Sequence, residues 1–211
     1  MQNTTHAVMS QRVEPGDSPD DFPTPPWATR ALLEHVIGVD GLDRLSCLEP
    51  ACGAGHMAKV LREYFKEVRC ADAYDYGFAP VRDFLSYPYE TNAVDWVITN
   101  PPFRLAEEFV QRSFDVARRG VAVLVRTVFL ESVGRYTRLF RDDPPSKFAQ
   151  FVERVPMVKG RLDERASTAT GYAWLVWEHH VRDQSKVVWI PPCRRSLERP
   201  NDYGAAQLPL I

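Results

Sequence analysis

An α/β protein with a mostly parallel central sheet flanked by helices is the fold class the sequence predicts, and three observations predict it. From Leu45 to Arg126, apolar strand-like runs alternate with stretches of helical apolar spacing. The first of these runs enters its helix through a Gly-rich turn, "EPACGAG". The last third holds three more strand-like runs with short connections, which predicts antiparallel pairs there. Strands alternating with helices wind in right-handed crossovers and give a parallel sheet.

Each element follows from local chemistry. In "TPPWATRALLEHVIG", Thr24 is the expected N-cap and Pro25 suits the first helical position. Ala31, Leu32, Val36 and Ile37 form an apolar stripe that Gly38 ends. A strand over Leu45–Leu48 meets the Gly-rich turn, after which Met57, Val60, Leu61, Tyr64 and Phe65 recur at helical spacing. "EVRCADAYDYG" reads as a strand ending in acidic residues, a weak strand falls near "FAPVRDFL", and "VDWVIT" follows. Leu105, Phe109, Val110, Phe114 and Ala117 make the apolar face of a helix feeding "GVAVLVR", a strand of the kind buried on both faces. "FAQFVERVPMV", "GYAWLVWEH" and "KVVWIPP" supply the C-terminal strands. Residues 1–20 are polar and without hydrophobic period, so they read as a flexible segment. Residues 21–192 read as a single domain and 193–211 as an irregular tail.

A length of 211 residues with 45% hydrophobic content suits one globular domain with a substantial core. No apolar run reaches bilayer length and the first residues lack a signal-peptide core, so a cytoplasmic protein without a membrane partner is expected. Cys47, Cys52, Cys70 and Cys193 form no C-x-x-C pair and no zinc spacing, and read as reduced, buried residues. His179 and His180 are adjacent near a strand end and point to opposite faces, so no shared metal is expected. The net charge of −2 is unevenly spread: residues 1–103 carry 8 Lys/Arg against 15 Asp/Glu, and residues 104–211 carry 18 against 13. Such asymmetry suits a second half that faces a polyanion; a merely solvated basic face is the alternative.

Two stretches carry chemistry. In "EPACGAG", Gly53 and Gly55 sit where a strand turns tightly into a helix, and Gly lets a ligand approach the backbone. Asp72 ends the next strand, where a carboxylate can accept both hydroxyls of a ribose; Asp75 competes for that role. In "VDWVITNPPFRLAEEFV", Asn100-Pro101-Pro102-Phe103 follows a strand and precedes a helix. Two prolines cannot continue a central strand, so the motif is either a plain breaker or a stiff site.

Taken together, "LEPACGAG" and "TNPPF" resemble motifs I and IV of class I S-adenosylmethionine (SAM)-dependent methyltransferases that act on the exocyclic amine of adenine. "FPTPPW" is similar to that family's F-x-T-P element, and its place before motif I is the gamma-type order. The resemblance is closest to small adenine-specific DNA methyltransferases of phages and prophages, and covers roughly Asp21 to Pro192. It implies a Rossmann-like class I methyltransferase fold, SAM as cofactor and DNA as partner, with the target base flipped out of the duplex. It further implies that Phe22, Pro23 and Thr24 close over the methionine end of SAM, alongside Glu49 and Ala51. Gly53 and Gly55 would let the cofactor lie on the backbone, Asp72 would take the ribose, and Asp83 with Phe84 the adenine. At the motif itself, the Asn100 side-chain oxygen and the Pro101 carbonyl would bind the two hydrogens of the target amine. Pro101 and Pro102 would hold that carbonyl's direction, and Phe103 would stack on the base.

The sequence departs from the family in carrying Phe rather than the commoner Tyr at position 103, and in showing no separate target-recognition domain. Arg135, Arg138 and Arg141 recur every three residues and could meet a phosphate backbone, with solvated arginines as the alternative. Tyr172 and Trp174 share one strand face and could add an aromatic against the base, with core packing as the alternative. The same motif also serves RNA bases and protein glutamine, and an inactive nucleic-acid-binding module would keep the fold. The sequence does not give oligomeric state.

Overall fold

Seven strands pair into one sheet in the computed structural model, which describes residues 20–181 and 185–203. They are β1 (Ser46–Glu49), β2 (Glu67–Cys70), β3 (Val94–Thr99), β4 (Ala117–Arg126), β5 (Lys147–Phe151), β6 (Tyr172–Glu178) and β7 (Lys186–Ile190). Their order is β2-β1-β3-β4-β6-β5-β7. Strands β1 to β4 pair in parallel. Strand β6 runs against both β4 and β5, which supplies the antiparallel pairs expected near the C-terminus. Strand β7 differs from that expectation: it pairs in parallel with β5. The reason is positional, since β5 lies between β6 and β7, so these consecutive strands never become a hairpin.

Helices cover both faces. Helix α1 (Pro26–Leu32) continues as a wider turn over Leu33–Ile37 and stops at Gly38, whose φ of 90° is left-handed. With α2 (His56–Leu61) it buries Trp27, Leu32, Leu33, Met57 and Leu61 against Trp96, Ile98, Leu124 and Trp174 of the sheet. Helix α3 (Ala106–Val116) lays Phe109, Val110 and Val116 on Val97, Val121, Val123 and Leu175 of the opposite face. Strand β3 is buried along its whole length, as a central parallel strand covered on both sides must be. A further short helix, α4 (Val133–Arg135), runs on through Tyr136–Phe140. Among the described residues no helix is long and apolar enough to cross a membrane.

Three local expectations change. Pro26 takes the first helical position of α1, so Pro25 and not Thr24 stands at the N-cap, with no side-chain cap. The run near "FAPVRDFL" makes only an isolated bridge, Asp72 to Val81, because Pro80 and Pro88 cannot donate to a ladder. In the tail, Arg194–Leu197 forms a helical turn, α5, where an irregular chain was expected. The buried Arg30 guanidinium holds it, donating to the Leu197 carbonyl at 2.7 Å and pairing with Asp202 and Glu63. The expectations for residues 1–19 and 204–211 lie outside the described residues, while Asp20, placed in the flexible segment by the sequence, is bonded into the site described next.

A candidate active-site cleft at the carboxyl edge of the sheet

The cleft opens where β1, β2 and β3 end, the edge at which open α/β sheets bind ligands. Counted to its open mouth it holds about 710 Å³. After Glu49, the last residue of β1, the chain turns through Gly53 (φ 49°) and Gly55 (φ 80°), both left-handed. The Gly53 N–H donates to Asp72 Oδ2 at 2.8 Å and the Tyr74 N–H to Asp72 Oδ1 at 3.0 Å, so the turn fixes this carboxylate at the end of β2.

The two glycines serve different ends. Gly53 lines the cleft. Gly55 is not in its lining: a Cβ there would lie 2.3 Å from the Phe78 ring, so its missing side chain makes room for Phe78.

The cleft is anionic. Asp20, Asp21, Glu49 and Asp72 line it, and no Lys or Arg does so among the described residues. Glu49 is fully buried with Oε2 lacking a partner; burial first, then the Asp72 carboxylate, raises its pKa well above the usual range. Burial and Asp72 also raise Asp21, with Lys159 acting the other way. His56 lines the same wall, and burial and Lys59 lower its pKa, which favours the neutral ring. Thr24 Oγ1 is a second buried atom without a partner. An apolar wall comes from Phe84, which is buried, and from Phe22, Pro23 and Ala51.

Asn100 follows the end of β3. Its Nδ2 donates to the Phe22 carbonyl at 2.8 Å and approaches Met157 Sδ at 3.7 Å, while Oδ1 is buried and has no partner. A carbonyl can only accept, so Phe22 determines which end of the amide faces it. Pro101 is buried, Pro102 lines the cleft, and the Pro102 carbonyl accepts the Leu105 N–H. The Phe103 N–H donates to Asp20 Oδ2 at 2.6 Å. Its ring centroid lies 5.3 Å from that of Phe22 and 6.4 Å from that of Tyr172, and the Arg126 guanidinium stands over it at 3.8 Å.

The structure therefore brings Phe22, Pro23, Thr24, Glu49, Ala51, Gly53, Asp72, Phe84, Asn100 and Pro102 to one cleft. Asp83 stays outside its lining: the carboxylate is exposed and accepts from the Leu85 N–H and the Ser86 hydroxyl in a local turn. Asp75 likewise caps its own turn at the Gly77 N–H, so of these two acids Asp72 is the one that lines the cleft. Arg135 donates to the Phe129 carbonyl, Arg138 pairs with Glu107 at 2.6 Å and Arg141 with Asp142 at 2.9 Å, so all three hold intramolecular partners. Tyr172 sits near Phe103, but Trp174 is fully buried under α1 with its indole N–H on the Ala28 carbonyl, and is core. Residue-type reasoning passes over Asp20, Asp21, Met157 and Arg126. None belongs to a motif; the one available signal is that Asp20-Asp21 directly precede "FPTP".

No family model and no curated protein matches the sequence. Solved structures do match the architecture. A Listeria monocytogenes protein assigned to the class I SAM-dependent methyltransferases superposes with a TM-score of 0.59 at 13% identity, over 83% of this chain and 67% of that one. A Pyrococcus horikoshii protein assigned as an RNA methyltransferase gives 0.54 at 16%, over 74% and 86%. A Vibrio vulnificus protein assigned as the modification subunit of a type I restriction enzyme gives 0.58 at 16%, over 88% of this chain but only 50% of that one. The architecture is thus the Rossmann-like class I methyltransferase fold.

Proposed function

We propose that the protein is a SAM-dependent methyltransferase of the gamma-type motif order, acting on the exocyclic N6 amine of adenine in DNA. The observation that carries this reading is the Asn100 side-chain oxygen. It is buried, unpartnered and oriented by Phe22, at the rim of an anionic cleft.

The residues of the cleft fit the cofactor. SAM carries a sulfonium and an ammonium, and the lining offers four carboxylates without a basic residue. Glu49 and Thr24 each hold a buried polar atom lacking a partner, as a wall that awaits a polar ligand would. Glu49, Ala51 and the segment Phe22-Pro23-Thr24 would hold the methionine end, Asp72 the ribose, and Phe84 the adenine ring. When bound, the cofactor supplies an electrophilic methyl on positively charged sulfur.

The protein's own part is orientation. An adenine amine is a poor nucleophile because its lone pair is delocalised into the ring. Asn100 Oδ1 and the Pro101 carbonyl, accepting its two hydrogens, favour a tetrahedral nitrogen with its lone pair aimed at the methyl. Acceptors fixed beforehand leave little to reorganise at the moment of transfer. Transfer would form a nitrogen–carbon bond at the expense of the sulfur–carbon bond, leaving a neutral thioether, and the amine would lose its extra proton to water. No general base of raised basicity is required, which accords with a motif of Asn, Pro and Phe. Adenine in a duplex must leave the stack to reach Asn100.

The test is one assay with labelled SAM offered to DNA, RNA and protein pools, followed by nucleoside and amino-acid analysis. Label in N6-methyladenine of DNA is the expected result. Label only in RNA or in glutamine would keep the chemistry and overturn the substrate, and no transfer to any pool would favour an inactive binding module.

A further inference from the structure

Arg126 stands between two clefts. On one side its guanidinium covers Phe103 at 3.8 Å and reaches Phe22 at 5.9 Å. On the other it lines a second, wider cleft at the ends of β4, β5 and β7, about 1400 Å³ to its open mouth. Arg154, Gln150, Tyr172 and Trp189 line it too. Trp189 lies on the edge strand β7 and is 66% exposed, next to Val152 and Val128, which are also exposed. Large aromatic surface left in water beside a cleft marks a contact site.

The charges say what kind. Neither Arg126 nor Arg154 pairs with a carboxylate among the described residues; Arg154 donates to the Ala169 carbonyl, and Arg126 Nε is buried without a partner. The single acid in the lining, Glu153, is turned to the Cys193 and Arg194 N–H groups at 2.7 and 2.9 Å. Arg135, Arg138 and Arg141, by contrast, are already engaged within the chain. Guanidiniums without a carboxylate partner, beside an exposed indole, are the equipment for a polynucleotide strand: cations for phosphates and a flat face for a base.

We propose that this second cleft holds the DNA strand flanking the base presented to Asn100, with Arg126 and Arg154 facing its phosphates and Trp189 stacking on one of its bases. The inference rests on the DNA reading above. It also gives Arg126 a task at the junction: it covers the Phe103 ring until an incoming base takes that face, and then turns to the strand.

The test compares wild type, Trp189→Ala and Arg154→Glu on an unmethylated random-sequence duplex pool. The readouts are fluorescence anisotropy, KM for DNA in the labelled-methyl assay, SAM affinity by calorimetry, and mass by sedimentation. Trp189 and Arg154 are exposed, so both variants keep the fold. Each is expected to weaken DNA binding about tenfold, Trp189→Ala by loss of stacking and Arg154→Glu by loss of a phosphate contact. Arg154→Glu should also lower the salt slope of binding by about 1, and SAM affinity should not change. If wild type methylates DNA and both variants bind it as wild type does, the cleft assignment is overturned while the DNA reading stands. If Trp189→Ala converts an oligomer to monomers with DNA binding intact, the cleft is an interface between copies and the assignment is again overturned. Label from wild type going only to RNA or protein overturns the DNA reading, and this inference with it.

Discussion

The side-chain amide of Asn100 donates to the main-chain carbonyl of Phe22 at 2.8 Å, across 78 positions of the chain. That one bond decides the direction of the other end of the amide, and Asn100 Oδ1 is left buried and without a partner. The segment before α1 therefore does more than line the cleft: it fixes which way the Asn100 amide is turned.

Replacing Asn100 tests that geometry. Asn100→Ala removes the acceptor and should lower kcat for methyl transfer by about 10²–10³-fold, the usual loss for one preorganised hydrogen-bonding group. SAM affinity by calorimetry should stay within about twofold, since the residues proposed to hold the cofactor are others of the same cleft. Asn100→Asp keeps an acceptor but sets a second oxygen against the Phe22 carbonyl. It should therefore bind SAM and still transfer more slowly than wild type. Full activity in Asn100→Ala would remove Asn100 from the chemistry.

Glu49 gives a pH dependence of definite sign. Its folded pKa is raised by burial and by Asp72 above the ordinary 4.5, so between the two values the folded protein binds more protons than the unfolded chain. Its contribution to stability is then fully present below 4.5 and is lost as pH rises through the raised folded value. Urea melts of ligand-free protein across that window should show stability falling with pH, and Glu49→Gln should flatten the fall. Binding of a cationic cofactor runs the other way and should tighten with pH in wild type. Identical slopes in wild type and Glu49→Gln would show that Glu49 is not the group responsible.

How much of this is legible without coordinates depends on how local each signal is. A Gly-rich turn after β1, an acid at the end of β2 and a Pro-Pro stop after β3 are local, and they bring Glu49, Gly53, Asp72 and Asn100 to one edge of a parallel sheet. Asp20 and Asp21 are not legible, because their role arises only when the chain folds back to the Phe103 N–H and to the neighbourhood of Asp72. Period-2 alternation places Tyr172 and Trp174 on one face but says nothing of depth. Tyr172 lies at the strand end by Phe103, and Trp174 two residues deeper, under α1. The same limit applies to Arg138: its spacing is visible, whereas its pairing with Glu107, far along the chain, is a tertiary fact, and Arg141 pairs simply with its neighbour Asp142.

Arg30 should be the costliest surface-linked charge to remove. Its side chain is 3% exposed and holds Glu63, Asp202 and the Leu197 carbonyl together. Arg30→Met leaves Asp202, itself 6% exposed, without its cation, a loss of ~3–5 kcal/mol for a broken buried pair. Thermal melts should report the loss. Limited proteolysis should cut at Arg194–Arg199 sooner than in wild type, since the tie between α5 and α1 is gone. A variant with unchanged Tm and unchanged cleavage would show that the tail is held by other means.

Gly55 separates two causes that a motif comparison merges. A substitution there meets a left-handed φ of 80° and, separately, the Phe78 ring 2.3 Å from the new Cβ. The first costs ~1–2 kcal/mol for a non-glycine residue, and the second adds an overpacking term of ~1–3 kcal/mol. Gly55→Ala should therefore destabilise by more than either alone, measured by urea unfolding. Phe78→Ala removes the ring, and the double variant should recover the packing part while keeping the backbone part. If instead Gly55 were retained for close approach of a ligand, Gly55→Ala would cost little in the ligand-free protein and would weaken SAM binding. Stability and affinity, read on the same four proteins, decide between a glycine kept for Phe78 and a glycine kept for the cofactor; the contact with Phe78 sets the expectation on stability.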